Sequence, residues 1–192
     1  MSSLSSPLAS IRDELDGTTR RLRALTASLD DAAWRRKPAD KRWSVAECIE
    51  HLNLTSRAYL PLLRDAVRGG RERGLTNPGG SCRLDFIGWM LVKSIEPPVK
   101  RRGQMKTPPP FVPRSIEPMM KVIHEYEELQ RELIDLLTQM DGLAISKIKV
   151  TSAFNAKLRY STYSSLRVIA SHQRRHLWQA EQVLAENRAT SR

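Results

Sequence analysis

A chain of 192 residues can bury a substantial core without staples, and 40% hydrophobic with 28% charged residues is ordinary for a soluble globular protein. Its two cysteines, Cys48 and Cys82, are far apart and in no CxxC arrangement, which excludes a disulfide framework and a cysteine zinc site and suits a reducing compartment. The net charge of +11 implies an anionic partner or a solvated basic surface; its densest cluster, Lys100, Arg101, Arg102 and Lys106, has no interleaved aromatic residue for base stacking, so nucleic-acid binding is not expected.

The first residues, "MSSLSSPLASIRDEL", show no basic head followed by an apolar run, and no apolar stretch approaches the ~20 residues that span a bilayer. A cytoplasmic protein with no membrane partner is expected. Leu8, Ile11, Leu15, Leu22, Leu25 and Leu29 recur at helical steps and predict an amphipathic helix over 8–29, broken by "DDAAWRRKPADK". In "RWSVAECIEHLNL", Ser44 and Glu47 form a capping box, and Trp43 before the cap is placed to staple against Cys48. Val45, Cys48, Ile49, Leu52, Tyr59 and Leu63 carry this second helix past Pro61, which should kink rather than end it, as far as Val67. "RGGRERGLTNPGG" reads as a loop, and "LDFIGWMLVKSI" (84–95) as a short buried helix. Six prolines between Pro97 and Pro113 predict an extended surface segment. Ile116, Met120, Ile123, Leu129, Leu133, Leu136 and Leu137 predict a third helix over 115–139 with acids on its outer face. A long connection follows, and a fourth helix over 162–187. The sum is an all-α four-helix bundle with long connections and a short extra helix, as one domain over residues 1–192 with a Pro-rich loop at 97–113.

Two of the four histidines, His172 and His176, stand one turn apart in "ASHQRRHLWQA". On a helical wheel both fall on the core-facing half of the last helix, about 40° apart, so two imidazoles can reach one ion. His51 lies at the margin of the second helix's apolar stripe, beside Cys48 and Thr55, and could supply a third. His124, among acids in "VIHEYEE", reads as a surface residue. A metalloprotease HExxH needs a glutamate where this chain has Gln173, and an amide cannot act as the base. There is no GxSxG, and Cys48 inside an apolar stripe is not placed as a reactive thiolate. From the residues alone, the histidines are either metal ligands or polar groups at a helix seam.

"RWSVAECIEHL" resembles the second-helix signature of the DinB-like (YfiT-like) superfamily, "SHQRRHLWQAEQVL" is similar to its closing His-xxx-His motif, and "MKTPPPFVPRS" resembles the Pro-rich segment of one subgroup. The order and spacing of these blocks fit nearly the whole chain. The resemblance implies an up-down-down-up bundle in which His51, His172 and His176 hold a divalent metal, leaving positions open for water or substrate. Imidazole ligation suits Zn²⁺ or Ni²⁺, with Fe²⁺ or Mn²⁺ as further choices. It also implies a homodimer, a small-molecule substrate and, in related families, a low-molecular-weight thiol cofactor for S-transfer; others are hydrolases. Gln179 and Glu47 are candidates to support the ligands, although capping alone also accounts for Glu47. Arg174 and Arg175 are the nearest arginines in sequence for an anionic substrate, and the wheel points Arg174 away. The alternative function is a non-catalytic bundle that binds an anionic partner through residues 100–106.

Overall fold

The structure, a computed structural model, describes residues 4–40, 42–77, 81–98, 106–114 and 117–189. Helix α1 (Ser6–Thr26) takes Pro7 in its first turn, where no backbone N–H is needed, and buries Leu8, Ile11, Leu15 and Leu22 along one face. It ends before Leu29. The predicted break contains a one-turn helix, α2 (Asp31–Arg35), capped by the Asp30 side chain and driving Trp34 into the core. Helix α3 (Val45–Glu72) starts at the expected capping box: Ser44 N–H donates to Glu47 at 2.9 Å, and the Glu47 N–H donates back to Ser44 Oγ at 3.2 Å.

Helix α3 passes through Pro61 and beyond Val67, so the first part of the stretch read as a loop is helical. Gly70 is there for close packing, not for a turn. A Cβ at that position would come within 2.5 Å of Ile148 Cδ1. The turn itself falls at Gly74, whose φ of 62° suits glycine.

Helix α4 (Phe86–Ile95) is where expected, but it is not buried. Phe86 is 74% exposed and Trp89 49%, while Gly88 and Ile95 face inward. Asp85 caps it and also accepts from Ser161 N–H and Lys149, fastening the helix to the residues that precede the last helix. The Pro-rich stretch turns once in a 3₁₀ helix at Pro109–Phe111 and buries Phe111 instead of running over the surface throughout. Residues 99–105, with Lys100, Arg101 and Arg102, lie outside the described residues.

Helix α5 (Met119–Met140) buries Ile123, Leu129, Leu133, Leu136 and Leu137, but Met120 is 69% exposed and is not part of the stripe; Ile116 lies outside the described residues. The long connection contains an antiparallel hairpin, β1 (Lys149–Thr151) and β2 (Arg159–Ser161), with Val150 opposite Tyr160. Helix α6 (Thr162–Ala189) closes the bundle.

Bonds between helices fix their directions. Glu14 with Arg167 and Arg21 with Glu181 make α1 and α6 parallel. Asn53 with the Val122 carbonyl, Arg57 with Glu125 and Arg71 with the Gln139 carbonyl make α3 and α5 parallel. Arg42 with Glu186, His51 with His172 and Tyr59 with Tyr160 make α3 and α6 antiparallel. The result is up-down-down-up, with α5 and α6 each packed between α1 and α3.

Two apolar clusters fill the bundle, one around Leu15, Leu63, Leu133 and Leu137, the other around Trp34, Ile49, Tyr126 and Leu177. Between them lies a polar layer. Gln130 and Gln173 exchange amide hydrogen bonds at 3.1 and 2.7 Å, and the Gln173 oxygen also accepts from Thr18 and Tyr126.

Candidate metal centre

The capping box sets the phase of α3 so that His51, in its second turn, points inward, and it is buried. Facing it, α6 presents His172 and His176 from successive turns. The three rings meet edge to face, with centroids 5.0 Å apart for His51–His172 and 4.5 Å for each of the other pairs. One nitrogen from each ring lies within 4.8 Å of the other two.

His51 Nδ1 stands 2.7 Å from the Phe111 carbonyl oxygen. A carbonyl only accepts, so Nδ1 carries the proton and Nε2 is left with its lone pair facing inward. That Nε2 is 3.2 Å from His172 Nε2. Two imidazole nitrogens on one tetrahedral zinc, each at about 2.0–2.1 Å, stand about 3.3 Å apart, so the pair has the spacing an ion needs. The same spacing also accommodates a proton donated from His172 to His51. The His176 ring adds a buried Nδ1 with no hydrogen-bond partner among the described residues. Buried polar nitrogens are normally satisfied, and this unpartnered one belongs to a ring that meets two other imidazoles. The donor set fits a divalent ion that accepts imidazole.

The rings are neutral at physiological pH. Burial pushes His51 down to about 4, opposed by the Phe111 carbonyl and reinforced by the charge on Arg175. Burial holds His172 and His176 well below the usual range, with their neighbouring rings and Arg175 adding to it; the Gln179 amide opposes this at His176. Lone pairs are therefore available without competition from protons.

Aromatic walls surround the cluster. Trp43 lies 4.9 Å from His51 and stacks on His176 at 5.8 Å, so it serves the histidines as well as packing on the core that holds Cys48. Phe154, from the hairpin loop, lies 5.5 Å from His172 and 4.6 Å from Phe111. Its loop is tied down by Ser152, which accepts from the Phe154 N–H, and by the Tyr59–Tyr160 hydroxyl pair at 2.6 Å. A cavity of about 10 Å³ opens between Thr55, Ser56, Tyr59, Phe154 and His172, room for one water. His172 is the partly exposed member of the triad and marks the open side.

Other sequence-level expectations resolve individually. Glu47 does not orient His51. It is committed to the capping box and to Lys37 at 2.7 Å, and the Phe111 carbonyl takes the role instead. No side-chain pattern reveals that carbonyl, because any residue carries one. His124 is exposed and pairs with Glu128. Gln173 belongs to the polar layer, away from acid–base chemistry. Burial pushes the Cys48 thiol far up, which makes it inert core. Arg174 turns away and binds Glu14 and Glu96.

Residues 14–180 match the family model described as the DinB superfamily. The chain belongs to the DinB superfamily. No curated protein and no solved structure was found to match it. Membership in this superfamily agrees with the bundle and with the three-histidine cluster, which the matched span contains whole. Among the described residues no helix is long and apolar enough to cross a membrane.

Proposed function

We propose that this DinB-superfamily protein is a metal-dependent enzyme in which His51, His172 and His176 hold one divalent ion and a small molecule is the substrate. The observation that supports it most is the convergence of three neutral imidazoles, one of them with an otherwise unpartnered buried nitrogen. Zinc or nickel suits an all-imidazole donor set. Such an ion, when bound with open positions, lowers the pKa of a bound water or thiol and so supplies a nucleophile for hydrolysis or thiol transfer.

The protein's own groups do the rest. Phe111 holds His51 in the tautomer that turns Nε2 toward the other ligands. Trp43, Phe111 and Phe154 exclude bulk water and give an apolar substrate a surface to lie against. The partly exposed edge at His172 is the side from which substrate enters. The same reading places the enzyme in the cytoplasm, and a homodimer is the assembly to test by size-exclusion chromatography.

Elemental analysis of the purified protein beside a His51→Ala/His172→Ala/His176→Ala variant is the direct test. About one divalent ion per chain is expected in the wild type and essentially none in the variant. Equal, substoichiometric metal in both would remove the basis for the proposal. A thiol screen on the loaded protein then separates transferase from hydrolase.

A further inference from the structure

The cavity beside the triad has room for about one water, whereas sites for small molecules enclose about 300–1,000 Å³. A substrate therefore reaches the histidines only if a wall of that cavity moves. Two walls are long helices: α3 supplies Thr55 and Tyr59, α6 supplies Ile169 and Gln173, and all four are buried. Tyr59 is held by the Tyr160 hydroxyl at 2.6 Å and Gln173 by Gln130 at 2.7 Å. Among the described residues that line the cavity, Phe154 alone stands outside a helix.

Phe154 sits in the turn between β1 and β2. Ser152 N–H donates to the Leu158 carbonyl at 2.8 Å and closes the base of that turn. Above the base, among the described residues, the hydrogen bonds of residues 154–157 stay inside the turn. Phe154 N–H donates to Ser152 Oγ, Lys157 N–H donates to Asn155 Oδ1, and the Asn155 carbonyl accepts from Leu158 N–H. Asn155, Ala156 and Lys157 are exposed. The tip meets the bundle through the Phe154 ring, 4.6 Å from Phe111, 5.5 Å from His172 and 6.0 Å from Tyr59. The strands below are fixed, since Val150 pairs with Tyr160 and Tyr160 bonds to Tyr59. A fixed base under a tip that keeps its own hydrogen bonds is a hinge.

We propose that Phe154 is the gate of the histidine cluster and admits a substrate that carries a flat apolar group. The tip swings about its base, the ring leaves the cluster, and the apolar group takes its place against Phe111, Tyr59 and His172. Opening breaks no hydrogen bond of the turn. It breaks only the contacts of one ring, which are non-directional, and the incoming group restores them. That the admitted molecule is a substrate rests on the metal-enzyme reading; the gate itself rests on the cavity and the turn.

Carbethoxylation of the chelated protein by diethyl pyrocarbonate, read at each histidine by peptide mass spectrometry, tests the gate without any ion. The reagent is larger than the cavity, and the exposed His124 is the internal reference. In wild type His51 and His172 should react far more slowly than His124. Their rate should not change in sub-denaturing urea, because opening one turn exposes little surface. Phe154→Ala should raise that rate about tenfold, as for the lost contacts of one ring, and leave His124 unchanged. Phe154→Leu, which keeps an apolar plug, should fall between the two. Toluene should take the place of the missing ring and restore slow reaction in Phe154→Ala. In the loaded protein, zinc should leave Phe154→Ala for excess chelator about tenfold faster than it leaves wild type. A wild-type rate that climbs with urea along the slope of global unfolding, or that Phe154→Ala does not change, would mean another path of entry and overturn the proposal. Triad histidines as reactive as His124 in wild type would overturn it as well, because the site would already be open. Toluene without effect would overturn the apolar replacement. Protein that takes up no zinc and still shows the gated pattern sinks the metal-enzyme reading and keeps the gate.

Discussion

His51 is oriented by a neutral carbonyl, where a carboxylate would have brought a negative charge into the site. The consequence is a cluster of three uncharged imidazoles in which burial disfavours protonation, and the Phe111 carbonyl at His51 and the Gln179 amide at His176 oppose that effect only in part. This couples stability to pH. In the unfolded chain each ring returns to about 6.5, while in the fold His51 sits near 4 and the other two lie well below the usual range. Below pH ~6.5 the unfolded state therefore binds protons that the native state refuses, and the ion-free protein loses stability as pH falls. The loss is up to about 1.4 kcal/mol per pH unit for each ring, until its folded value is reached. Thermal unfolding of the chelated protein from pH 7 to 5 checks it. The midpoint should fall steadily in wild type and less steeply in His176→Leu. A midpoint flat across that range would contradict the burial of the triad. At this scale the three histidines were legible in the sequence as candidates, because His-xxx-His spacing and an apolar stripe put His172 and His176 on one helix face, and the resemblance to the superfamily joined His51 to them. The carbonyl of Phe111 and the ring of Phe154 were not, since both arrive through loops whose paths leave no periodic signal.

The long helices could be read from apolar spacing and caps, but the elements that complete the site could not. The hairpin is two three-residue strands, too short for alternation to show, and Phe154 depends on it. Gly70 reads as a loop residue in isolation, because nothing in its neighbours discloses that Ile148 presses against it. Helix α4 looks buried from composition, and its apolar outer face is solvent-exposed. What holds it is a close backbone approach at Gly88, where a Cβ would fall 2.3 Å from both Cβ and Oγ of Ser164. Unlike the Ile148 methyl, a serine Cβ cannot rotate out of the way, so Gly88→Ala must lift α4 from α6. The expected cost is about 1–3 kcal/mol, measured by urea unfolding. Gly69→Ala on α3 is the control: its nearest neighbour would be the flexible end of Arg73 at 3.8 Å, and it should be neutral or slightly stabilising. Equal effects at the two positions would mean that α4 is not held by this contact.

At the scale of the bundle, ion pairs lie toward the outside and a polar layer separates the two apolar clusters inside. Ion pairs between helices, such as Arg21–Glu181, Arg64–Glu132 and Arg174–Glu14, take up acidic residues of the chain, and the polar layer is the interior device that restricts how the helices slide past one another. That layer joins α1, α5 and α6 through Thr18, Gln130, Tyr126 and Gln173, and Gln173 directly follows His172 of the histidine cluster. An apolar bundle lacking it is free to shift α6 along its axis and to carry His172 and His176 out of line with His51. Removing one glutamine leaves an orphan. In Gln173→Leu the Gln130 oxygen loses its donor, and in Gln130→Leu the Gln173 amide loses its acceptor, each costing about 1–3 kcal/mol. Removing both leaves none, because Thr18 still donates to the Leu15 carbonyl at 2.7 Å and accepts from Tyr126 at 3.1 Å. A double-mutant cycle by urea unfolding should therefore show that Gln130→Leu/Gln173→Leu is about as stable as wild type, far from the sum of the single losses. Zinc uptake by that stable double variant then isolates alignment from stability. Weakened uptake is expected if the polar layer sets the register of the ligands, whereas unchanged uptake would show that the apolar clusters alone align His51 with His172 and His176.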